Sequence, residues 1–186
     1  MSKRQLLALV AALACMPAAA DTYTIDKDHT YPSFEFSHMG ISVWRGKFTR
    51  SSGTVTLDRA ARTGAVQIVV NTASVDFGHK AMNEFAIGAD WLNVEWHPTM
   101  SYKGTLVFQG DVPASVDGKL TLLGNTRPLT LRINSFKCIP HPMFKREVCG
   151  ADVEGELNRA DYGMTLYSDG EDGKIRLRIQ VEAIKD

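Results

Sequence analysis

Lys174-Ile175-Arg176-Leu177-Arg178-Ile179-Gln180-Val181-Glu182 alternates charged or amide side chains with aliphatic ones along its whole length. In an extended chain successive side chains point to opposite faces, so this segment is a strand with one wet face and one buried face. The same period of two governs most of the sequence. Phe34, Phe36 and His38 alternate with Ser33, Glu35 and Ser37; Val66, Ile68 and Val70 alternate with Gln67 and Asn71; Met100 and Tyr102 alternate with Thr99, Ser101 and Lys103. Val116, Leu120 and Leu122 alternate with Lys119 and Thr121, Leu129, Leu131 and Ile133 with Thr130, Arg132 and Asn134, and Val153 and Leu157 with Asp152, Glu154 and Glu156. Further strands near Tyr23–Asp26 and across Gly46–Leu57, and a hairpin turn at Gly124-Asn125, bring the expectation to eight or nine antiparallel strands in one all-β domain.

Helical spacing occurs in one window, His79 to Asp90, where Met82, Phe85, Ala86 and Ala89 fall on one face. A lone amphipathic helix beside so many strands has to cover an apolar surface. The strands either pair as a sandwich or close into a barrel, and closure removes the exposed edges. Small residues on the apolar face, Gly104, Gly118, Gly155 and Ala183, favour a barrel with space inside.

The chain has 186 residues, 21 basic against 21 acidic, and 44% hydrophobic content, the balance of an ordinary globular domain. The first twenty residues stand apart: Lys3 and Arg4, an apolar stretch from Leu6 to Cys15, and Ala18-Ala19-Ala20 read as a secretory signal peptide cleaved after Ala20. A lipid anchor on Cys15 is the weaker reading of the same segment. Residues 21–186 then carry 19 basic and 21 acidic groups, too even a balance for nucleic acid. No later run approaches the roughly 20 apolar residues of a membrane helix. The expectation is a periplasmic or secreted domain without stable membrane insertion, for which a homodimer stays open.

Ordered segments of the chain resemble the YceI-like family of exported, lipocalin-like proteins associated with polyisoprenoid binding. They are Tyr23-Thr24-Ile25-Asp26 with His29-Thr30, Phe34 to Gly40, Gly46-Lys47-Phe48, Ala73-Ser74-Val75-Asp76, Asp90 to Val94 with His97-Pro98, Gly118 to Leu129, and Asn158 to Met164. The resemblance implies an extended eight-stranded antiparallel barrel with a short capping helix. Its apolar interior would hold a long-chain isoprenoid lipid, and it implies neither catalytic residues nor a cofactor. On that reading the lining is the inward set: Phe34, Phe36 and His38; Val66, Ile68 and Val70; Met100 and Tyr102; Val116, Gly118 and Leu120; Leu131 and Ile133; Val153; and Leu177 and Ile179. The segment Cys138 to Cys149 departs from the simplest family pattern as an insertion between two late strands.

Other chemistries find less support. There is no Gly-x-Ser-x-Gly elbow and no phosphate-cradling glycine loop. None of the five histidines is paired at ligand spacing. His38 would face inward as a polar handle. Arg159 and Asp161, two apart, would share a strand face and either hold a bend or reach a phosphate. The alternative function is an exported redox or metal-binding protein centred on Cys138, His141, Met143 and Cys149, a soft donor set suited to copper if the cysteines are thiolates. An even pair at close spacing in an oxidising compartment instead reads as a Cys138–Cys149 disulfide. Intact mass after alkylation, with and without prior reduction, checks this: natively purified protein should show no reactive thiols, and two after reduction.

Overall fold

The computed structural model describes residues 20–186. Apart from Ala20, the expected leader and Cys15 lie outside the described residues. The strands are β1 (Asp21–Ile25), β2 (Tyr31–His38), β3 (Ser42–Phe48), β4 (Ser51–Asp58), β5 (Thr63–Asn71), β6 (Val75–Asp76), β7 (Thr99–Gln109), β8 (Val112–Leu122), β9 (Asn125–Pro140), β10 (Glu147–Asn158) and β11 (Lys174–Lys185), with one helix, α1 (Lys80–Ala86). Every pairing is antiparallel. Eight strands close a ring in the order β1, β4, β5, β7, β8, β9, β10, β11 and back to β1. The remaining three, β2, β3 and β6, prolong β1, β4 and β5 at one end. The structure is thus an eight-stave barrel whose first three staves are each interrupted once.

Short hydroxyl side chains mend these interruptions. Between β1 and β2 the chain leaves the edge of β11 beside Glu182. There the backbone N–H of Glu182 donates to Thr30 Oγ1 at 3.0 Å, and the Thr30 hydroxyl lies 3.0 Å from the Glu182 carbonyl, which also accepts from Asp26 N at 2.9 Å. Between β3 and β4, Arg50 N donates to Ser74 Oγ at 3.1 Å, while Thr49 N reaches the Ser74 carbonyl at 3.0 Å. Between β5 and β6, the fully buried Thr72 donates its hydroxyl to the His97 carbonyl at 2.6 Å. Each hydroxyl takes the place of a missing ladder partner, which a buried backbone group needs.

The structure departs from the sequence reading in four places. The strand expected over Gly46–Leu57 is split into β3 and β4 at Thr49-Arg50. The β8–β9 turn has Leu123 and Gly124 in its two positive-φ positions, φ 50° and 74°, so Asn125 is already in the ladder opposite Leu122. Its side chain is used elsewhere, donating to the Tyr162 carbonyl at 3.0 Å. The helix stops at Ala86, which leaves Ala89 exposed instead of on the buried face. Cys138 to Cys149 is not a loop insertion: β9 and β10 run on to Pro140 and from Glu147, and Cys138 stands opposite Cys149 in the ladder.

Thr30 is 2% exposed and serves both backbone groups of Glu182. Thr30→Val, which keeps the shape and deletes the hydroxyl, should cost about 2 kcal/mol by leaving a buried N–H unpaired. Thr30→Ser should cost less than half of that, both measured by urea denaturation.

Candidate functional site

The inward faces of the staves do not meet at the barrel axis. They enclose a cavity of about 720 Å³, walled almost wholly by apolar side chains. Every stave contributes: Phe34, Phe36 and His38 from β2, Phe48 from β3, Val55 and Leu57 from β4, and Val66, Ile68 and Val70 from β5. Met100, Tyr102 and Leu106 follow from β7, Val116, Leu120 and Leu122 from β8, Leu129, Leu131 and Ile133 from β9, Ala151 and Val153 from β10, and Leu177, Ile179 and Val181 from β11. Period-two parity places the expected residues on this wall, with one exception.

That exception is Gly118, which faces inward but is roofed by Tyr102. A Cβ at this position would lie 2.6 Å from Tyr102 Cζ and Oη and 2.6 Å from the Lys103 carbonyl. Tyr102 lies across the glycine so that its hydroxyl reaches the carbonyls of Leu129 at 2.8 Å and Val116 at 3.0 Å. Burial holds the phenol neutral, its pKa well above the usual tyrosine value. Gly118 is therefore the seat of a wall residue and not itself wall.

Beside α1 the cavity reaches solvent through an aromatic mouth. Phe77, just before the helix, packs edge-on against Phe34 at 5.5 Å and Phe36 at 6.3 Å, and His38 stacks on Trp44 at 4.0 Å between ring centres. The helix is held in place by polar caps: His79 Nδ1 accepts from Met82 N at 3.3 Å, and Asn83 ties Phe77 N at 2.8 Å to Asp76 at 3.0 Å. Met82 and Phe85 thereby face the cavity, and Phe85 packs on Trp91 at 5.4 Å. Met39, Phe85 and Tyr167 line the cavity while remaining more than half exposed.

Besides His38, polar side chains on the cavity wall here include Arg159, Trp91 and Asp172. Arg159, 5% exposed, lies over the Trp91 ring at 4.8 Å and donates to the carbonyls of Asp172 at 3.3 Å, Met164 at 3.2 Å and Tyr167. These three partners are all carbonyls; desolvation lowers its pKa from the ordinary value, and the nearby Asp172 carboxylate opposes that shift. The strand face expected to be shared with Asp161 does not form, because Arg159–Tyr162 is a 3₁₀ turn in which residues two apart diverge, and Asp161 is exposed. Trp91 Nε1 is buried and has no hydrogen-bond partner among the described residues. The sequence reading names Arg159, but on a strand face shared with Asp161, and alternation does not place Trp91; neither residue lies in a strand.

The donor set weighed for copper does not assemble. Cys138 and Cys149 are joined in a disulfide. His141 is used in the β9–β10 turn, where its Nδ1 accepts from Met143 N at 3.2 Å and Phe144 N at 3.1 Å while its ring stacks on Phe144. Glu147, not His141 or Met143, is the ligand-type side chain near the sulfurs.

Comparison with known proteins agrees with this architecture. Residues 23–183 match the family model described as a YceI-like domain. Proteins named YceI from Salmonella arizonae and Salmonella heidelberg are 29% identical over 171 residues, covering 90% of this chain and 89% of theirs. Among solved structures, Campylobacter jejuni YceI superposes with a TM-score of 0.68 at 21% identity, covering 81% of this chain and 90% of that one. Burkholderia cenocepacia BcnA gives 0.67 at 19%, covering 82% and 95%. A polyisoprenoid binding domain from Saccharophagus degradans gives 0.60 at 14%, covering 88% and 98%.

Gly118→Ala tests the seat under Tyr102. The added methyl should displace the ring and cost about 1–3 kcal/mol by overpacking, read as a lower denaturation midpoint. An unchanged midpoint would mean that the ring does not rest there.

Proposed function

Because the chain belongs to the YceI-like family, we propose that it is a non-enzymatic binding protein that stores or carries a long-chain isoprenoid lipid inside the barrel. The observation that carries this reading is the continuous apolar cavity of about 720 Å³, open to solvent beside α1. A flexible prenyl chain drawn out of water gains about 25 cal/mol for each Å² of apolar surface buried. Micromolar or tighter binding is then compatible with the cost of ordering the chain. The name of the Saccharophagus domain supports the same ligand class.

The head group would rest at the mouth. Trp91 Nε1 is a buried donor without an acceptor, and Arg159 adds positive charge above the same ring. Both favour a head that presents oxygen acceptors, such as an alcohol, a quinone or a phosphate. Export to the periplasm with cleavage after Ala20 completes the proposal; it rests on Lys3, Arg4, the Leu6–Cys15 stretch and Ala18-Ala19-Ala20.

Organic extracts of protein purified from its own host should contain an isoprenoid, and added prenyl lipids should quench the fluorescence of Trp44 and Trp91. Ala151→Trp, which enlarges a small residue of the wall, should lower uptake at least tenfold while the folded near-ultraviolet spectrum survives. Trp91→Phe should weaken binding of a polyprenol but not of a headless hydrocarbon of equal length. Extracts without isoprenoid, together with no response to added prenyl lipids, would remove the basis of the carrier reading.

A further inference from the structure

At the far end of the barrel from α1, where β11 finishes, three polar side chains, Arg59, Glu147 and Tyr23, converge beside the disulfide. Arg59, in the turn between β4 and β5, places Nη2 3.1 Å from Cys138 Sγ and 3.6 Å from Cys149 Sγ. The same nitrogen donates to Glu147 Oε1 at 2.7 Å and lies 3.1 Å from Tyr23 Oη, and the Tyr23 hydroxyl donates to Glu147 at 2.5 Å. Cys149 is buried in the cavity wall, and Cys138, opposite it in the ladder and on the same face, is partly exposed at this end of the barrel.

A disulfide sulfur is neutral and a poor acceptor, and it gains little from a guanidinium. A thiolate gains a great deal. The cation therefore stabilises the product of reduction more than the disulfide itself, which makes reduction easier. Glu147 opposes it, because its carboxylate competes for Arg59 and repels a second negative charge. We propose that Cys138–Cys149 is an exchangeable redox site, poised by Arg59 against Glu147, for a thiol reductant reaching the partly exposed Cys138 at this end of the barrel.

The exchange balances as two thiols against one disulfide. The thiolate of a small or protein-borne thiol attacks the partly exposed Cys138 Sγ, forming a mixed disulfide, and the Cys138–Cys149 bond breaks. Cys149 leaves as a thiolate next to Arg59. A second external thiolate then attacks the reductant's own sulfur in the mixed disulfide and releases Cys138 as a thiolate. Two electrons have passed to the protein, the two external thiols end as one disulfide, and the cysteine sulfurs take protons from water. The arrangement disfavours a divalent metal at Cys138, Glu147 and Cys149, because the Arg59 cation already lies among these donors.

The whole protein is equilibrated with glutathione buffers of graded thiol-to-disulfide ratio, quenched in acid, and alkylated with a mass-shifting maleimide to read the dithiol fraction. Arg59→Gln should demand about a tenfold more reducing buffer for half reduction, and Arg59→Lys should stay near the wild type. Glu147→Gln should move the midpoint the opposite way, towards easier reduction. A purely structural staple gives a different pattern: loosening its surroundings from either side makes it easier to reduce. If both glutamine variants shift towards easier reduction, or neither shifts, the proposal is wrong. The lipid reading of the cavity is untouched by either result.

Discussion

Closure of the barrel rests on β11, the strand that pairs with three others. Along one edge it matches β10 from Val148↔Ile184 to Asn158↔Lys174, and along the other it takes β2 for its first half and β1 for its second. The change of partner falls at Glu182, which is why a buried threonine hydroxyl is needed there. Without β11 both β10 and the β1–β2 stave would be open edges with unpaired N–H and C=O groups. The first and last strands of the domain are thus neighbours, and the barrel closes only when its two ends meet. Pairing at such sequence separation makes folding slow compared with a fold built from local contacts.

A ring of eight tilted staves fixes a diameter that side chains can fill or leave open around a small ligand. Here the side chains of the inward apolar face stop short of the axis and leave about 720 Å³. Small residues on that face do not act as void-makers. Gly118 seats Tyr102, while a Cβ on Gly104 or Gly155 would lie 2.8 Å from Val116 Cγ1 or Leu131 Cδ2, so these glycines receive the side chains of neighbouring strands. The space survives because large residues lean onto glycines along the wall and leave the axis clear.

The two ends of the barrel differ in chemistry. One is aromatic and carries polar groups with unmet or charged donors, Trp91 and Arg159, beside a helix of two turns. The other is tied by a disulfide and an ion pair, in which Arg59 holds the Glu147 carboxyl below its usual pKa and Tyr23, buried and donating to that carboxylate, is pushed up to about 12. The cavity opens beside α1, and the disulfide with its ion pair stands at the opposite end.

Strict alternation over Lys174–Glu182 and its counterparts determines that the chain forms two-faced strands and which side chains face the interior, because an extended backbone repeats every two residues whatever surrounds it. That is why the wall from Phe34 to Ile179 is readable from sequence; the cysteine pair is readable on another ground, close spacing in a chain read as exported. Alternation carries no information where the chain stops being extended. The mouth residues Phe77, Trp91 and Arg159, the split of Gly46–Leu57 at Thr49-Arg50, and the divergence of Arg159 from Asp161 depend on turns whose partners are remote in sequence. Arg59 meets Cys138, Glu147 and Tyr23 only because closure brings β1, β4, β9 and β10 to one end. Local periodicity sets the faces; the ring sets the cavity, its mouth and what stands at each end, since those follow from pairing across distances that no local pattern encodes.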